Sequence, residues 1–160
     1  MSIRYWSQIG VGLVVLGFAS LVSLYEGSAL MDNHWEWRYS APFSELIYGR
    51  VAGPNDIIAL DFFVYAGKYL PLFPGMMVIS ANYLFVLIGS RVFKQTGYRI
   101  SLILSSVIHL ALSFIISSSP TEGGNILFWL FLAIGLLKII GAISLHLLPF
   151  MRIKGHLNQQ

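Results

Sequence analysis

The sequence predicts an all-α membrane protein, with four transmembrane helices and a long, aromatic-rich outer loop between the first two. Composition is the first observation: of 160 residues, 56% are hydrophobic and only 11% are charged, and the mean hydropathy is +0.73. A soluble domain typically carries about a quarter charged residues. The second observation is that the apolar residues form four long runs, each long enough to cross about 30 Å of hydrocarbon as a helix.

The four predicted spans contain almost no charged side chains. They cover residues 8–25, 70–90, 100–119 and 126–151. The first three contain no Lys, Arg, Asp or Glu, and the fourth contains only Lys138. Aromatic residues near the span ends, such as Trp6, Tyr98 and Trp129, favour the membrane–water interface. We therefore predict one four-helix membrane domain over residues 1–160.

The distribution of charge predicts the orientation of the spans. Most of the Lys and Arg residues fall at the two ends of the chain and in residues 91–99, whereas all seven acidic residues lie between Glu26 and Glu122 and outside these three stretches. Lys and Arg accumulate in short cytoplasmic loops. We therefore predict a protein of the cytoplasmic membrane, with both termini and the nine-residue loop 91–99 inside the cell. Loop 26–69 and turn 118–125 then face outward. The basic residues behind the C-terminal placement are Arg152 and Lys154.

A cleaved signal peptide is the less favoured interpretation of the N-terminus. Arg4 would begin it, and Gly27-Ser28-Ala29 would be an acceptable cleavage site. The apolar part of a signal peptide is typically about 7–15 residues long, and the run here is longer and follows Tyr5 and Trp6. We therefore predict that the first span is retained.

The predicted outer loop, residues 26–69, is unusually aromatic. Residues 35–39 alternate aromatic and polar side chains, which predicts either a short strand or an irregular segment lying on the lipid headgroups. Further along, Asn55 or Asp56 is predicted to cap a helix that runs towards Gly67. Its apolar stretch is too short to span, so it would lie in the interface or pack over the mouth of the bundle.

Two interpretations of this loop differ in function. The simpler one is a cap that lies at the membrane interface. The other is a docking surface for an extracytoplasmic partner or ligand, because an aromatic surface with few charges resembles the core of a protein–protein interface. The contact candidates in the loop are Trp35, Trp37, Tyr39, Glu26 and Asp61.

Four polar side chains within the predicted spans are the intramembrane candidates: Lys138, His109, Asn82 and His146. A Lys at mid-span costs about 3 kcal/mol on insertion scales, and no predicted span contains an acid. Lys138 could be neutral, reach an outer acid such as Glu26 or Asp61, or pair with an acid on another membrane protein. The simplest interpretation has it lining the bundle interior among polar groups. The other three residues suit ordinary hydrogen bonds between helices or at the interface.

Patterns typical of catalysis and of cofactor binding are absent from the sequence. It has no Cys, no glycine-rich phosphate loop, no His-x-x-x-His pair and no pair of acids within a span. A haem between His109 and His146 is disfavoured, because their predicted depths in the membrane differ by several ångströms. We predict no catalytic residues, no cofactor and no metal.

The predicted partners follow from the charge pattern. The pI is about 9.3, but the net charge is only +3, and the basic residues flank apolar spans instead of forming a patch. We therefore predict no nucleic-acid partner. The expected partners are the lipid bilayer and another membrane protein that would supply an acid to Lys138.

Three stretches carry a resemblance to a known family. They are residues 25–30 (YEGSAL), 35–40 (WEWRYS) and 61–66 (DFFVYA). They resemble a family of uncharacterised small membrane proteins from Bacillus-type bacteria, the YjdJ-like family. The resemblance implies a cytoplasmic membrane location and several spans, and it implies no activity and no site residues.

Three functional hypotheses follow. The favoured one is a non-enzymatic accessory, assembly, or envelope-stress or immunity factor that acts through helix–helix and outer-loop contacts. The second is a small oligomeric transporter or proton-linked carrier that uses Asn82, His109 and Lys138, although the two halves show no convincing inverted repeat. The third is an enzyme acting on lipid or quinone at the outer interface. Its candidate residues are Glu26, Asp32, Glu36 and Asp61.

Overall fold

A computed structural model describes the backbone of residues 3–157 and the side chains of residues 3–147. The side chains of Arg152 and Lys154, which support the predicted C-terminal placement, lie outside the described residues. In chain order the helices are α1 (Ile3–Gly27), α2 (Trp37–Ser40), α3 (Pro42–Tyr48), α4 (Ala59–Tyr69), α5 (Leu72–Val92), α6 (Gln95–Ile116) and α7 (Glu122–Leu157). Residues 3–157 contain no β-strand, so the all-α prediction is confirmed.

Four of these helices are long and apolar enough to cross a membrane, judged by length and composition. They are α1, α5, α6 and α7. Helices α1 and α7 contain the predicted spans 8–25 and 126–151, whereas α5 and α6 contain spans 70–90 and 100–119 except for residues 70–71 and 117–119. The candidate spans themselves are Ile3–Asp32, Leu72–Val92, Gln95–Ile116 and Glu122–Leu147. Unbroken helices are the expected outcome for such runs, because an apolar environment leaves backbone groups no partner outside their own helix.

The predicted nine-residue loop 91–99 is wrong. Helix α5 continues through Arg91 to Val92, and α6 begins at Gln95, so only Phe93 and Lys94 connect them. Basic residues had marked this stretch as a loop. A basic side chain is nevertheless favourable in the last turn of a helix, where it faces the negative end of the helix dipole. Charge therefore located the connection correctly and overestimated its length.

The chain between α1 and α5, residues 28–69, is an ordered helical segment, called the connecting segment below. It contains α2, α3, α4 and three short 3-10 turns, which are Ser28–Asp32, His34–Glu36 and Pro54–Asp56. Its small core is formed by Leu30, Trp37, Ala41 and Ile57. The strand suggested for residues 35–39 is wrong: this stretch is helical, and the buried indole of Trp37 donates a hydrogen bond to the Leu30 carbonyl at 2.9 Å.

The chain divides into two compact units. The first comprises Met1–Leu84 and Ser119–Leu127, and the second comprises Phe85–Ser118 and Phe128–Gln160. In the first unit α1 packs closely against α4, because Gly27 has no side chain and allows the Phe62 backbone to approach it. Helix α4, which is too short to span a membrane, is therefore a packing element of this unit.

The first unit also contains contacts between α1 and the part of α5 that ends at Leu84. Gly12 meets the Leu84 side chain, and the ring of Phe18 lies edge-on to that of Phe73, with 5.9 Å between centroids. Because later residues of α1 meet earlier residues of α5, the two helices run antiparallel. In the second unit, Ser106 of α6 donates a hydrogen bond to the Gly135 carbonyl of α7 at 2.9 Å.

Candidate functional site

Asp61 of α4 is fully buried, with 0% of its surface exposed. Its carboxylate accepts hydrogen bonds from the backbone N–H groups of Phe43 and Ser44, both at 2.9 Å, and from the Ser44 hydroxyl. That hydroxyl in turn accepts from the backbone N–H of Ile58 at 2.9 Å. Asp61 thus caps the first turn of α3, where helical N–H groups have no partner within their own helix.

This arrangement corrects two predictions from the sequence. Asp61 was a candidate for surface contact and for acid–base chemistry, but it is buried and its oxygens serve the fold. The predicted cap of α4 is also different: α4 begins at Ala59 without a side-chain cap. The Asp56 carboxylate instead accepts from the backbone N–H groups of Ala52 and Gly53, at 2.9 and 3.1 Å. The pairing of Asp61 with α3 could not be found from spacing, because 17 or 18 residues separate the partners.

A second polar cluster joins α4 to the turns around α2. The Lys68 ammonium donates to the Tyr39 carbonyl at 2.6 Å and to the Ser40 hydroxyl at 2.9 Å, and it lies 3.8 Å from a carboxylate oxygen of Glu36. Ser40 donates to the same Glu36 oxygen at 2.7 Å, and Tyr69 is also hydrogen-bonded to Glu36. The cluster therefore fixes the end of α4 against the preceding turns.

The pKa values of this cluster differ from their ordinary values. Burial tends to raise the pKa of Glu36, but hydrogen bonds from Tyr69 and Ser40 and the charge of Lys68 hold it below its usual 4.5. Burial lowers the pKa of Lys68 in spite of the nearby carboxylate. Burial, followed by the hydrogen bond to Glu36, raises the pKa of Tyr69 to about 12. At neutral pH the cluster is an ion pair with a neutral phenol, which suits a structural role better than proton transfer.

The exposed face of the connecting segment is largely apolar. Trp35 is 89% exposed and Leu46 is 84% exposed. We call the following residues the exposed apolar set: Trp35, Tyr39, Phe43, Leu46, Ile47 and Tyr48. Among the predicted contact candidates, Trp35 and Tyr39 are therefore accessible, whereas Trp37 is buried in the core. Leu46 and Ile47 were not among the candidates, because only their position on α3 shows that they face away from the core.

Glu26, the remaining loop candidate, belongs to the last turn of α1 and is half-buried. Its Oε2 atom and the hydroxyl of the fully buried Ser23 have no hydrogen-bond partner within the described part of the chain. The two residues are three positions apart, so they lie on one face of α1. This corrects the prediction that Glu26 is part of an exposed loop.

Lys138 of α7 is held inside the second unit, with 5% of its surface exposed. Its ammonium donates to the Ser105 hydroxyl at 2.5 Å and lies 4.8 Å from the centroid of the Phe85 ring. A hydroxyl oxygen and an aromatic face both stabilise a cation where water is scarce. The sequence indicated neither Ser105 nor Phe85 as its neighbour.

His109 shares Ser105 with Lys138. The Nδ1 atom of His109 lies 2.7 Å from the Ser105 carbonyl oxygen, to which it donates, and the imidazole lies edge-on to the Phe131 ring at 5.8 Å between centroids. The structure therefore brings two of the four intramembrane candidates to one residue. The contact between His109 and Ser105 could have been predicted from the sequence, because Ser105 precedes His109 by one helical turn.

The other two intramembrane candidates are separate from this group. Asn82 lies in the first unit, and its side chain donates to the Val78 carbonyl of its own helix at 2.8 Å. His146 is exposed and lies 2.6 Å from the Arg99 guanidinium, measured to its Nδ1 atom. No group of three or more His, Asp or Glu side chains that could hold a metal ion occurs among the described residues.

Comparison with known proteins assigns the first part of the chain. A family model described as "Domain of unknown function (DUF4306)" matches residues 6–93, more than half of the 160 residues. The chain belongs to the DUF4306 family. The "Uncharacterized protein YjdJ" of Bacillus subtilis (strain 168) is 38% identical over 89 residues, which cover 52% of this chain and 82% of that protein. The resemblance to YjdJ-like proteins is confirmed. No solved structure matches the chain.

The DUF4306 match has a clear structural extent. Residues 6–93 begin in the first turn of α1, end one residue after α5 and include the whole connecting segment. Lys138, His109 and His146 lie beyond it. The exposed apolar set is therefore inside the family domain, whereas three of the four intramembrane candidates are in the part of the chain that follows it.

Proposed function

We propose that this DUF4306 protein is a non-enzymatic integral membrane protein that acts as an accessory or assembly factor. Its connecting segment would bind another membrane protein through the exposed apolar set. We place it in the cytoplasmic membrane, with both termini inside the cell and the connecting segment outside. The four long apolar helices support the membrane location, and the positions of the basic residues support the orientation.

The observation that carries the proposal is the division of side chains within the connecting segment. The buried polar groups, such as Asp61, are bonded to backbone groups of the segment itself. Many of the side chains left outside are large and apolar, and Trp35 and Leu46 are almost fully exposed. The exposed side chains also include the charged groups of Asp32, Arg38 and Arg50. Exposed aromatic side chains with few charges are typical of the anchoring positions of protein–protein interfaces.

Lys138 has weaker support as a contact for a partner. The sequence suggested an acid on another membrane protein, but the ammonium is buried between the Ser105 hydroxyl and the Phe85 ring. A partner's carboxylate would have to displace these neighbours. The proposal therefore rests on the connecting segment and not on Lys138.

Photo-crosslinking in native membranes tests the proposal. A photoreactive phenylalanine analogue would replace Trp35 in one variant and Leu46 in another, with Phe114 of α6 as the matched control, because it is an equally exposed apolar residue on a candidate span. We expect the same discrete protein adduct from the first two positions and lipid adducts from the third. Lipid adducts alone from all three positions would contradict the docking function and favour a segment that rests on the bilayer.

A substitution provides an independent check. Leu46→Ser keeps α3 but removes an apolar contact that is 84% exposed. We expect it to abolish the protein adduct formed from position 35. The fold is tested in the same sample by hydrogen exchange at Phe43 and Ser44, whose N–H groups are bonded to Asp61. Loss of the adduct with unchanged exchange supports docking; an unchanged adduct excludes Leu46 from the contact.

A further inference from the structure

We propose that the groove between α1 and α5 binds one anionic phospholipid of the surrounding bilayer. One acyl chain would lie in the groove, and the headgroup would lie beside Arg4. This inference rests on the membrane location given under the proposed function, but it does not depend on the docking surface of the connecting segment.

The groove belongs entirely to the first unit and has a volume of about 470 Å³. Ligand sites in proteins commonly have volumes of about 300–1,000 Å³. Helix α1 contributes Val11, Gly12 and Val15, and helix α5 contributes Met76, Ile79 and Tyr83. From Ser7 to Val15 the groove follows α1 for about 12 Å at 1.5 Å per residue. An extended hydrocarbon chain fits a groove of this form.

The middle of the groove offers hydrocarbon contact and no polar partner. Its walls there are Val11, Val15 and Ile79. The one hydroxyl in this part, that of Ser80, is bonded to its own helix, through the carbonyls of Met76 at 2.8 Å and Met77 at 3.1 Å. A polar solute would lose hydrogen bonds with water on entering and gain none. An acyl chain has no such cost.

One end of the groove is polar and positively charged. Ser7 and Gln8 line it, and Arg4 precedes Gln8 by four residues, so it continues the same stripe of α1. Arg4 is exposed, and no acidic residue occurs before Glu26. A guanidinium group is positively charged and matches the geometry of a phosphate. Because α5 runs antiparallel to α1, Tyr83 lies towards the same end. An apolar groove with a cationic end suits an amphiphile with an anionic head.

Native mass spectrometry of the full chain, released from lipid nanodiscs, tests this proposal. The nanodiscs would contain equal amounts of phosphatidylglycerol and phosphatidylethanolamine. We expect one tightly retained phosphatidylglycerol per chain. Val11→Trp fills the groove and should remove this lipid, whereas Val14→Trp is the matched control, since Val14 is on the same helix, is exposed and does not line the groove. Equal retention by the two variants would overturn the proposal.

A substitution of Arg4 tests the charged end of the groove separately. Arg4→Gln should keep one retained lipid but reduce the preference for phosphatidylglycerol about fivefold, the effect of one basic residue near an anionic headgroup. An unchanged preference would remove Arg4 from the site. Failure of the membrane location would be recognised independently, because the wild-type protein would then be released from membranes by alkaline carbonate. Retention of several lipids, equal in all variants, would indicate only the ordinary lipid shell and would also overturn the proposal.

Discussion

Asp61 connects two helices that are distant in sequence. Its carboxylate receives two backbone N–H groups from the first turn of α3, while its own backbone belongs to α4. A buried carboxylate is costly unless its lone pairs are used, and here each oxygen has a donor. The same bonds satisfy N–H groups that α3 cannot satisfy itself. The same hydrogen bonds therefore satisfy both the buried carboxylate of Asp61 and the N–H groups at the start of α3.

Asp61→Ala should destabilise the connecting segment by about 3 kcal/mol, because it leaves buried donors without an acceptor. Hydrogen exchange of the detergent-solubilised protein measures this as roughly a hundredfold faster exchange at Phe43 and Ser44. Asp32→Ala is the matched control, since Asp32 is an exposed acid of the same segment. Equal protection in Asp61→Ala and the control would show that the carboxylate is not needed as a cap.

The Glu36 carboxylate predicts how the segment responds to acid. Its pKa in the folded protein is lower than the ordinary value of 4.5, so its contribution to stability is complete above pH 4.5 and is lost as the pH falls through the folded value. At acid pH the unfolding free energy should therefore fall less steeply with decreasing pH in Glu36→Gln than in the wild type. The difference in slope corresponds to at most one bound proton, because one carboxylate has been removed. Chemical denaturation at several pH values measures the slope. The same slope at acid pH in both proteins would show that Glu36 does not contribute to this loss of stability.

The Tyr69 phenol gives a direct spectroscopic prediction at the other end of the pH scale. Its pKa is about 12 instead of the ordinary 10, so the folded protein retains its proton between these values. Subtracting the tyrosinate absorbance of Tyr69→Phe from that of the wild type should leave one late-titrating phenol. In a Glu36→Gln background this titration should move towards 10, because Glu36 contributes to the shift. If the difference between wild type and Tyr69→Phe instead titrates with a midpoint at pH 10, the raised pKa of Tyr69 is refuted.

At the scale of elements, glycine decides which helices approach closely. At Gly27 any Cβ would collide with the Phe62 carbonyl, and at Gly123 it would collide with the carbonyls of Gly67 and Lys68. Both close contacts are made with the backbone of α4. Gly10 and Gly17, in contrast, face open space on α1. Glycines of the same helix therefore differ in role, and sequence alone could not separate them.

Gly27→Val should lower the thermal stability of the detergent-solubilised protein, by about 1–3 kcal/mol, the usual cost of overpacking. Gly17→Ala should be neutral or stabilise by up to about 1 kcal/mol, because alanine favours the helix and meets nothing. The loss of monodisperse protein on heating measures both. Similar melting of the two variants would mean that α1 and α4 can separate without loss.

The elements that could be predicted are those governed by a uniform environment. Long apolar runs near residues 8–25 or 100–119 have few options, since each backbone group must be satisfied within its helix. The connecting segment depends instead on contacts such as Asp61 with α3 and Trp37 with the Leu30 carbonyl. Aromatic alternation in residues 35–39 suggested a strand, but burial of Trp37 in a small helical core prevailed. The partners of Lys138 depended on tertiary packing in the same way.

At the scale of the whole molecule, the absence of cysteine from the sequence makes the predicted orientation easy to measure. Single substitutions Trp35→Cys and Lys94→Cys can be labelled in intact cells with a membrane-impermeant maleimide. We expect rapid labelling at position 35, and labelling at position 94 only after the membrane is permeabilised, because basic connections remain cytoplasmic. The cysteine-free wild type is the control for background. Labelling of position 94 in intact cells would show that the orientation is opposite to the predicted one.

Very short linkers join the connecting segment to its neighbouring long helices. Helix α1 ends at Gly27 and the first 3-10 turn begins at Ser28, while only Leu70 and Pro71 separate α4 from α5. A free loop of this length would have to give up about 1–2 kcal/mol of backbone entropy for each residue that a partner orders. Here that cost has been met during folding. A protein that binds Trp35 and Leu46 would therefore meet a prearranged surface, and even a small contact could hold it.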